Sequence, residues 1–145
     1  MPSKSMACTD LDKAAPAAGD DRHLHEECGV FGIYSNVTAD VAAHQLFLTE
    51  MDVSDFNPLC HVMPPLRAER DRDALREGLA DGTIDAICSD HQPHEVDAKL
   101  APFQQTAPGI SALETLLPLT LRLVEEGVLS LPEALRKITD SPANI

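Results

Sequence analysis

The sequence predicts an α/β fold built on parallel strands, and three observations predict it. Two short apolar segments, Val37–Thr49 and Thr83–Cys88, read as strands. Amphipathic or capped segments read as helices between and after them, giving the order strand, helix, strand, helix, helix. Two strands are too few for a parallel sheet, which needs both faces covered, so the pattern is that of a piece of a larger architecture.

The elements follow in chain order. Residues 1–27 mix small and charged residues without a sustained period and read as a disordered leader. Residues 28–36 open with Cys28-Gly-Val-Phe-Gly-Ile-Tyr34, a short apolar run whose two glycines suit a strand approached closely by another backbone. Val37–Thr49, rich in Val, Ala, Leu and Phe, reads as a buried strand leading into a loop. Asp52–Arg67 is loop, marked by Asn57-Pro58 and Pro64-Pro65. Arg67–Ala80 is a helix with Leu75 and Leu79 four apart on one face, stopped by Asp81-Gly82.

Thr83–Cys88 is the second strand, with Ile84, Ala86 and Ile87 apolar, and Ser89–Gly109 is a long polar loop. Ser111–Glu126 reads as a helix with Ser111 and Glu114 as a capping box and a stripe of Leu113, Leu116, Leu117, Leu121 and Val124. Ser130–Ile138 is a second capped helix, with Glu133 three residues after Ser130, and Ser141-Pro142 could start another.

Composition excludes several functions. Aromatic residues make up 3% of the chain and Trp is absent, so the core must come from Leu, Ile, Val and Ala. A formal charge of −13 argues against nucleic acid and against an anionic membrane surface. No apolar run approaches the roughly 20 residues of a membrane span. Met1–Asp21 lacks the apolar stretch of a signal peptide, and the four cysteines form neither a CxxC pair nor a dense framework, so a reducing cytoplasm is expected.

Ser89-Asp90-His91-Gln92-Pro93-His94 is the most informative stretch. Asp90 follows the second strand, and in α/β barrels that end of a strand carries the chemistry. A carboxylate there can bind a divalent metal or take a proton from metal-bound water. The bland reading is a polar loop whose Asp and His only cap and solvate. A small zinc site from Cys88, Asp90, His91 and His94 would have a spacing that suits no standard site. His44 reads as a packed or solvated strand residue and His61 as an exposed loop residue.

Context sharpens this stretch. The run from Asp85 to His94 resembles the dihydroorotase signature, in which a strand ends in Asp-His-x-Pro-His. Pro64-Pro65-Leu66-Arg67 resembles that family's Asn-Pro-Pro-Leu-Arg. Pro108 to Glu114 resembles its glycine-containing substrate loop and following helix, and Ala43 to Thr49 its seventh-strand segment. The four motifs occur in the family's order over residues 37–145. The resemblance implies the last two strand–helix units of a zinc-dependent (β/α)8 TIM barrel of the amidohydrolase superfamily. It implies the reversible conversion of N-carbamoyl-aspartate to dihydroorotate in pyrimidine biosynthesis. Asp90 would be the metal-associated carboxylate and general base, and His94, Gly109 and Arg67 would meet the substrate.

The departures bear on activity. The family's first-strand His-x-His pair and its middle-strand ligands have no counterpart here, and one carboxylate does not hold a zinc ion that takes about four ligands. Zinc is therefore expected not to bind this chain alone. Met63 stands where active members carry Asn, which removes a donor and an acceptor. It points to the non-catalytic dihydroorotase-like branch, whose members assemble with aspartate carbamoyltransferase.

His25-Glu-Glu-Cys28-Gly-Val-Phe-Gly-Ile-Tyr34 resembles the start of glutamine phosphoribosylpyrophosphate amidotransferase, in which a freed N-terminal cysteine is the glutaminase nucleophile. Cys28 would take that role if residues 1–27 were removed, although nothing after Asn36 supplies the rest of such a domain. Three readings stand open: a dihydroorotase working through Asp90, a non-catalytic chain acting through contacts with aspartate carbamoyltransferase, and a truncated chimera of two families that self-associates. A glutaminase fragment using Cys28 is a minor fourth.

Overall fold

A computed structural model describes residues 38–145. The expected leader at residues 1–27 and the Cys28 strand lie outside the described residues.

Strand β1 (Asp40–Ala42) pairs in parallel with β2 (Ala86–Cys88), with Asp40 opposite Ala86, Val41 opposite Ile87 and Ala42 opposite Cys88. Side chains alternate across a strand, so this register puts Val41 and Ile87 on one face of the sheet. Both belong to the apolar core, together with Leu46, Leu79, Ile84 and Leu123. The other face carries Asp40 and Cys88. Parallel pairing requires a crossover, and helix α1 (Glu69–Asp81) supplies it.

The expected strand over Val37–Thr49 is largely corrected. Extended pairing covers three residues, and the chain then turns into a 3-10 turn at Ala43–Leu46, all four of whose residues are buried. Burial selects apolar residues whether the backbone is extended or turning, so an apolar run does not by itself fix the length of a strand. The following loop is built of 3-10 turns at Glu50–Val53 and Pro58–Cys60. Thr49 caps the first of these: its N–H donates to the Asp52 carboxylate at 2.7 Å.

Helix α1 matches expectation closely. The Asp71 carboxylate accepts the Ala68 N–H at 3.2 Å, Leu75 and Leu79 are buried, and Gly82 stops the helix with φ of 86°, a conformation that glycine adopts without strain. Arg76 fastens α1 to the rest of the molecule. Its Nε donates to the Leu46 carbonyl at 2.8 Å, its guanidinium lies 4.9 Å from the Phe47 ring centroid, and Nη1 pairs with Glu126 at 2.9 Å.

Helix α2 (Leu116–Glu125) is shorter than the expected Ser111–Glu126, and its buried side is different. Thr120 and Leu123 are buried, with Leu116, Leu119 and Val124 packed partly against the core. Leu113, Leu117 and Leu121, placed in the expected stripe, point outward. The segment is apolar on nearly every side, so periodicity alone could not decide which face meets the sheet. Thr120 tolerates burial because its hydroxyl donates to the Leu116 carbonyl at 2.8 Å.

Helix α3 (Leu131–Ile138) starts where the capping signature places it, and α4 (Asp140–Ala143) follows. Glu133 accepts both the Ser130 N–H and the Ser130 hydroxyl. Those bonds hold its carboxyl below the ordinary value of 4.5. A lowered folded value means stability that is present at neutral pH and lost as pH falls through that value. In urea unfolding followed at stepped pH, Glu133→Gln should flatten the decline below about pH 5. A decline as steep as the parent's would show that the cap contributes nothing. Among the described residues no helix is long and apolar enough to cross a membrane.

Candidate functional site

The site lies at the carboxyl end of β2, where parallel α/β sheets present their chemistry. Asp90, two residues beyond Cys88, adopts φ of 46°, an uncommon backbone state for a residue with a side chain, and its Oδ1 accepts from Gln92 Nε2 at 2.8 Å. His91 pairs with Ile110 in an isolated parallel bridge, and the Gln92 N–H donates to the Ile110 carbonyl at 3.0 Å. The loop after β2 is thereby laid alongside the Pro108–Leu113 segment.

Side chains complete the join. His91 Nδ1 accepts the N–H groups of Ala112 and Leu113, each at 3.0 Å, which puts the ring proton on Nε2. A distant imidazole thus takes the Ala112 and Leu113 N–H groups ahead of α2, where a local Ser111–Glu114 box was expected. His94 Nε2 donates to the Pro108 carbonyl at 2.9 Å. His91→Ala should cost about 1–2 kcal/mol, since two backbone donors lose their acceptor, and should loosen residues 111–115. Thermal melts and amide exchange report both effects, and exchange unchanged across 111–115 would refute the capping role.

Gly109 sits at the tightest point. Its φ is 140°, and a Cβ placed on it would stand 2.5 Å from the Gln92 carbonyl oxygen and 3.0 Å from His94 Nε2. Its N–H donates to the His61 carbonyl at 2.7 Å, and its carbonyl accepts from Lys99 Nζ at 2.8 Å. His61, expected on the surface, is half-buried: Nδ1 lies 2.7 Å from the Thr106 hydroxyl and its ring stacks on Phe103 at 4.5 Å between centroids.

Asp90, His94 and Gly109 are therefore gathered on two adjoining loops. Arg67 stands apart, in a cleft lined by Gln45, Leu48, Asp71, Arg72 and Leu75. Its Nε lies 3.9 Å from Asp71, and its carbonyl accepts the Glu50 N–H. Met63 is exposed. Gln45, buried behind that loop, donates to the Pro64 carbonyl at 3.0 Å.

His44 is 3% exposed, and neither ring nitrogen has a hydrogen-bond partner. Burial pushes its imidazole below the ordinary value, against the opposing pull of the Asp90 charge. Burial and a hydrogen bond to Asp40 push the Cys88 thiol up to about 12, so it is no thiolate at neutral pH. Burial likewise raises the Cys60 thiol.

These donors do not fit zinc by themselves. Among the described residues no three His, Cys, Asp or Glu side chains converge on a point where a metal ion could sit. His91 and His94 are turned to backbone groups instead, which dissolves the Cys88–Asp90–His91–His94 grouping. Sequence reasoning passed over Lys99 and the capping role of His91. The one available signal for Lys99 was its position as the sole cation of the Ser89–Gly109 loop.

No family model matches the chain. A dihydroorotase-like protein of Pseudomonas putida is 56% identical over 107 residues, which are 74% of this chain and 25% of that protein. A dihydroorotase of Syntrophus aciditrophicus is 49% identical over 109 residues, 75% of this chain and 26% of that protein. The chain thus spans about a quarter of the length of the curated relatives it matches. Among solved structures, the L-hydantoinase (dihydropyrimidinase) of Arthrobacter aurescens superposes with a TM-score of 0.68 at 31% identity, covering 72% of this chain and 24% of that one. The dihydroorotase of Saccharomyces cerevisiae, solved with 5-fluoroorotic acid, gives 0.63 at 25% identity, covering 71% and 28%.

Proposed function

From the premise that the matched three-quarters of this chain is related to dihydroorotases and dihydroorotase-like proteins, we propose that it is a catalytically incomplete dihydroorotase-type protein of pyrimidine biosynthesis. Its two parallel strand–helix units correspond to the last two of a (β/α)8 barrel. Its loops supply the substrate-positioning side of a cyclic-amide site. One observation carries this reading: the Asp90–His94 loop is joined to the Gly109 segment at the carboxyl end of a parallel strand. Asp90 is the proton-accepting carboxylate of that site, and the backbone at Gly109 with His94 meets the substrate. Zinc, where it binds in such a site, polarises the amide and activates water; the described residues do not hold it, and no step is assigned through it.

Titration of the 15N-labelled chain with L-dihydroorotate tests this. Amide shifts confined to Asp90–His94 and Gly109–Ala112, without ring opening, are expected. Shifts elsewhere, or none, would sink the reading.

A role through contacts is a second reading, favoured by the outward leucines of α2 and α3, among them Leu117 at 49% and Leu131 at 48% exposed. Its partners would be aspartate carbamoyltransferase or further copies of this chain. Sedimentation velocity of the chain alone and with that enzyme tests this reading: a monomer under both conditions rules it out.

A further inference from the structure

Every backbone polar group of the Ala107–Gly109 segment has an assigned partner. The Ala107 N–H donates to the Ala98 carbonyl at 3.1 Å, and the Gly109 N–H donates to His61. The three successive carbonyls divide between two cationic or imidazole side chains. Those of Ala107 and Gly109 accept from Lys99 Nζ at 2.7 and 2.8 Å, while that of Pro108 accepts from His94 Nε2. The chain is gripped from two sides by residues of one loop.

We propose that Lys99 is a positioning residue of this site, whose ammonium holds the Ala107 and Gly109 carbonyls and so presents the Gly109 backbone against His94 for a cyclic-amide substrate. This rests on the reading given above for the site. An ammonium suits the task because it brings three donors and no acceptor to two carbonyl oxygens that repel each other. Hydrogen bonds from a charged donor are about twice as strong as neutral ones. Lys99 is half-buried, which strengthens those bonds and lowers its basicity, and the last residue of the Val96–Lys99 turn is well placed to reach back to the segment. The segment it holds has no slack: Gly109 touches Gln92 and His94 so closely that not even a methyl group fits. A shift of the two gripped carbonyls would therefore move the neighbouring Pro108–His94 bond as well.

The test compares the full 15N-labelled chain with Lys99→Met and Lys99→Arg. Lys99→Met should speed amide exchange at Gly109 by about tenfold or more, as expected when a charge-assisted bond is lost. It should shift the His94 ring resonances and abolish the L-dihydroorotate response at Gly109. Exchange at Leu79 and Leu123 should not change, and Lys99→Arg should restore the parent values. If Lys99→Met leaves Gly109 exchange and the His94 ring as they were, Lys99 positions nothing. If it speeds exchange equally at Leu79 and Leu123, its role is general stability and the proposal also falls. A parent chain that never responds to dihydroorotate would overturn the site reading instead, and exchange and ring shifts in the ligand-free chain would still decide the grip of Lys99.

Discussion

Gly109→Ala is expected to unfold the candidate site and to lower the melting temperature by on the order of 10 °C. Two costs add. A residue with a side chain held at φ of 140° is strained, at about 1–3 kcal/mol. The new methyl carbon would also meet the Gln92 carbonyl oxygen at 2.5 Å and the Gln92 Cβ at 2.8 Å, an overlap that backbone can relieve only by moving, at roughly 1–3 kcal/mol more. The segment that must move carries the bonds to His61, His94 and Lys99, so amide shifts should spread over both loops while the sheet keeps its exchange protection. A variant that melts with the parent would show that Gly109 is not confined as described.

Leu123→Ala should be comparably destabilising for a different reason. Leu123 is 0% exposed in the core cluster that also holds Leu46, Leu79 and Ala134, and truncating such a leucine costs about 2–5 kcal/mol in lost burial and residual cavity. Leu117→Ala, on the same helix at 49% exposed, should cost under about 1 kcal/mol. Urea unfolding of the pair decides which face of α2 is inward. Equal losses, or the larger loss at Leu117, would contradict the packing described.

That contrast shows where sequence reasoning succeeded and stopped. Parallel pairing, the crossover helix, the glycine stop at Gly82 and the Ser130–Glu133 cap were legible because each depends on local chemistry or element order. The face and start of α2 were not, because a helix apolar all round has no preferred side, and because the donors ahead of it are taken by His91, more than 20 residues away. The strand at Val37–Thr49 was overextended because its composition reflects burial, and the Ala43–Leu46 turn is buried as well, His44 and Gln45 included. The motifs singled out Asp90, His94 and Gly109, and the fold brings the loops that carry them together. Lys99 was not legible, since a lone lysine in a polar loop looks like a solvated charge until its two carbonyl partners are seen. Arg67 lies apart from the other three, in a cleft with Gln45, Leu48, Asp71, Arg72 and Leu75.

Native mass spectrometry of the full chain with zinc supplied tests the central claim most directly, that the Asp90 loop is part of a site and not a complete metal centre. The account predicts no zinc held at defined stoichiometry through Asp90, so that parent and Asp90→Ala show the same absence of a defined zinc adduct. One zinc per chain, lost on Asp90→Ala, would contradict it and would mean that a metal centre assembles around this carboxylate.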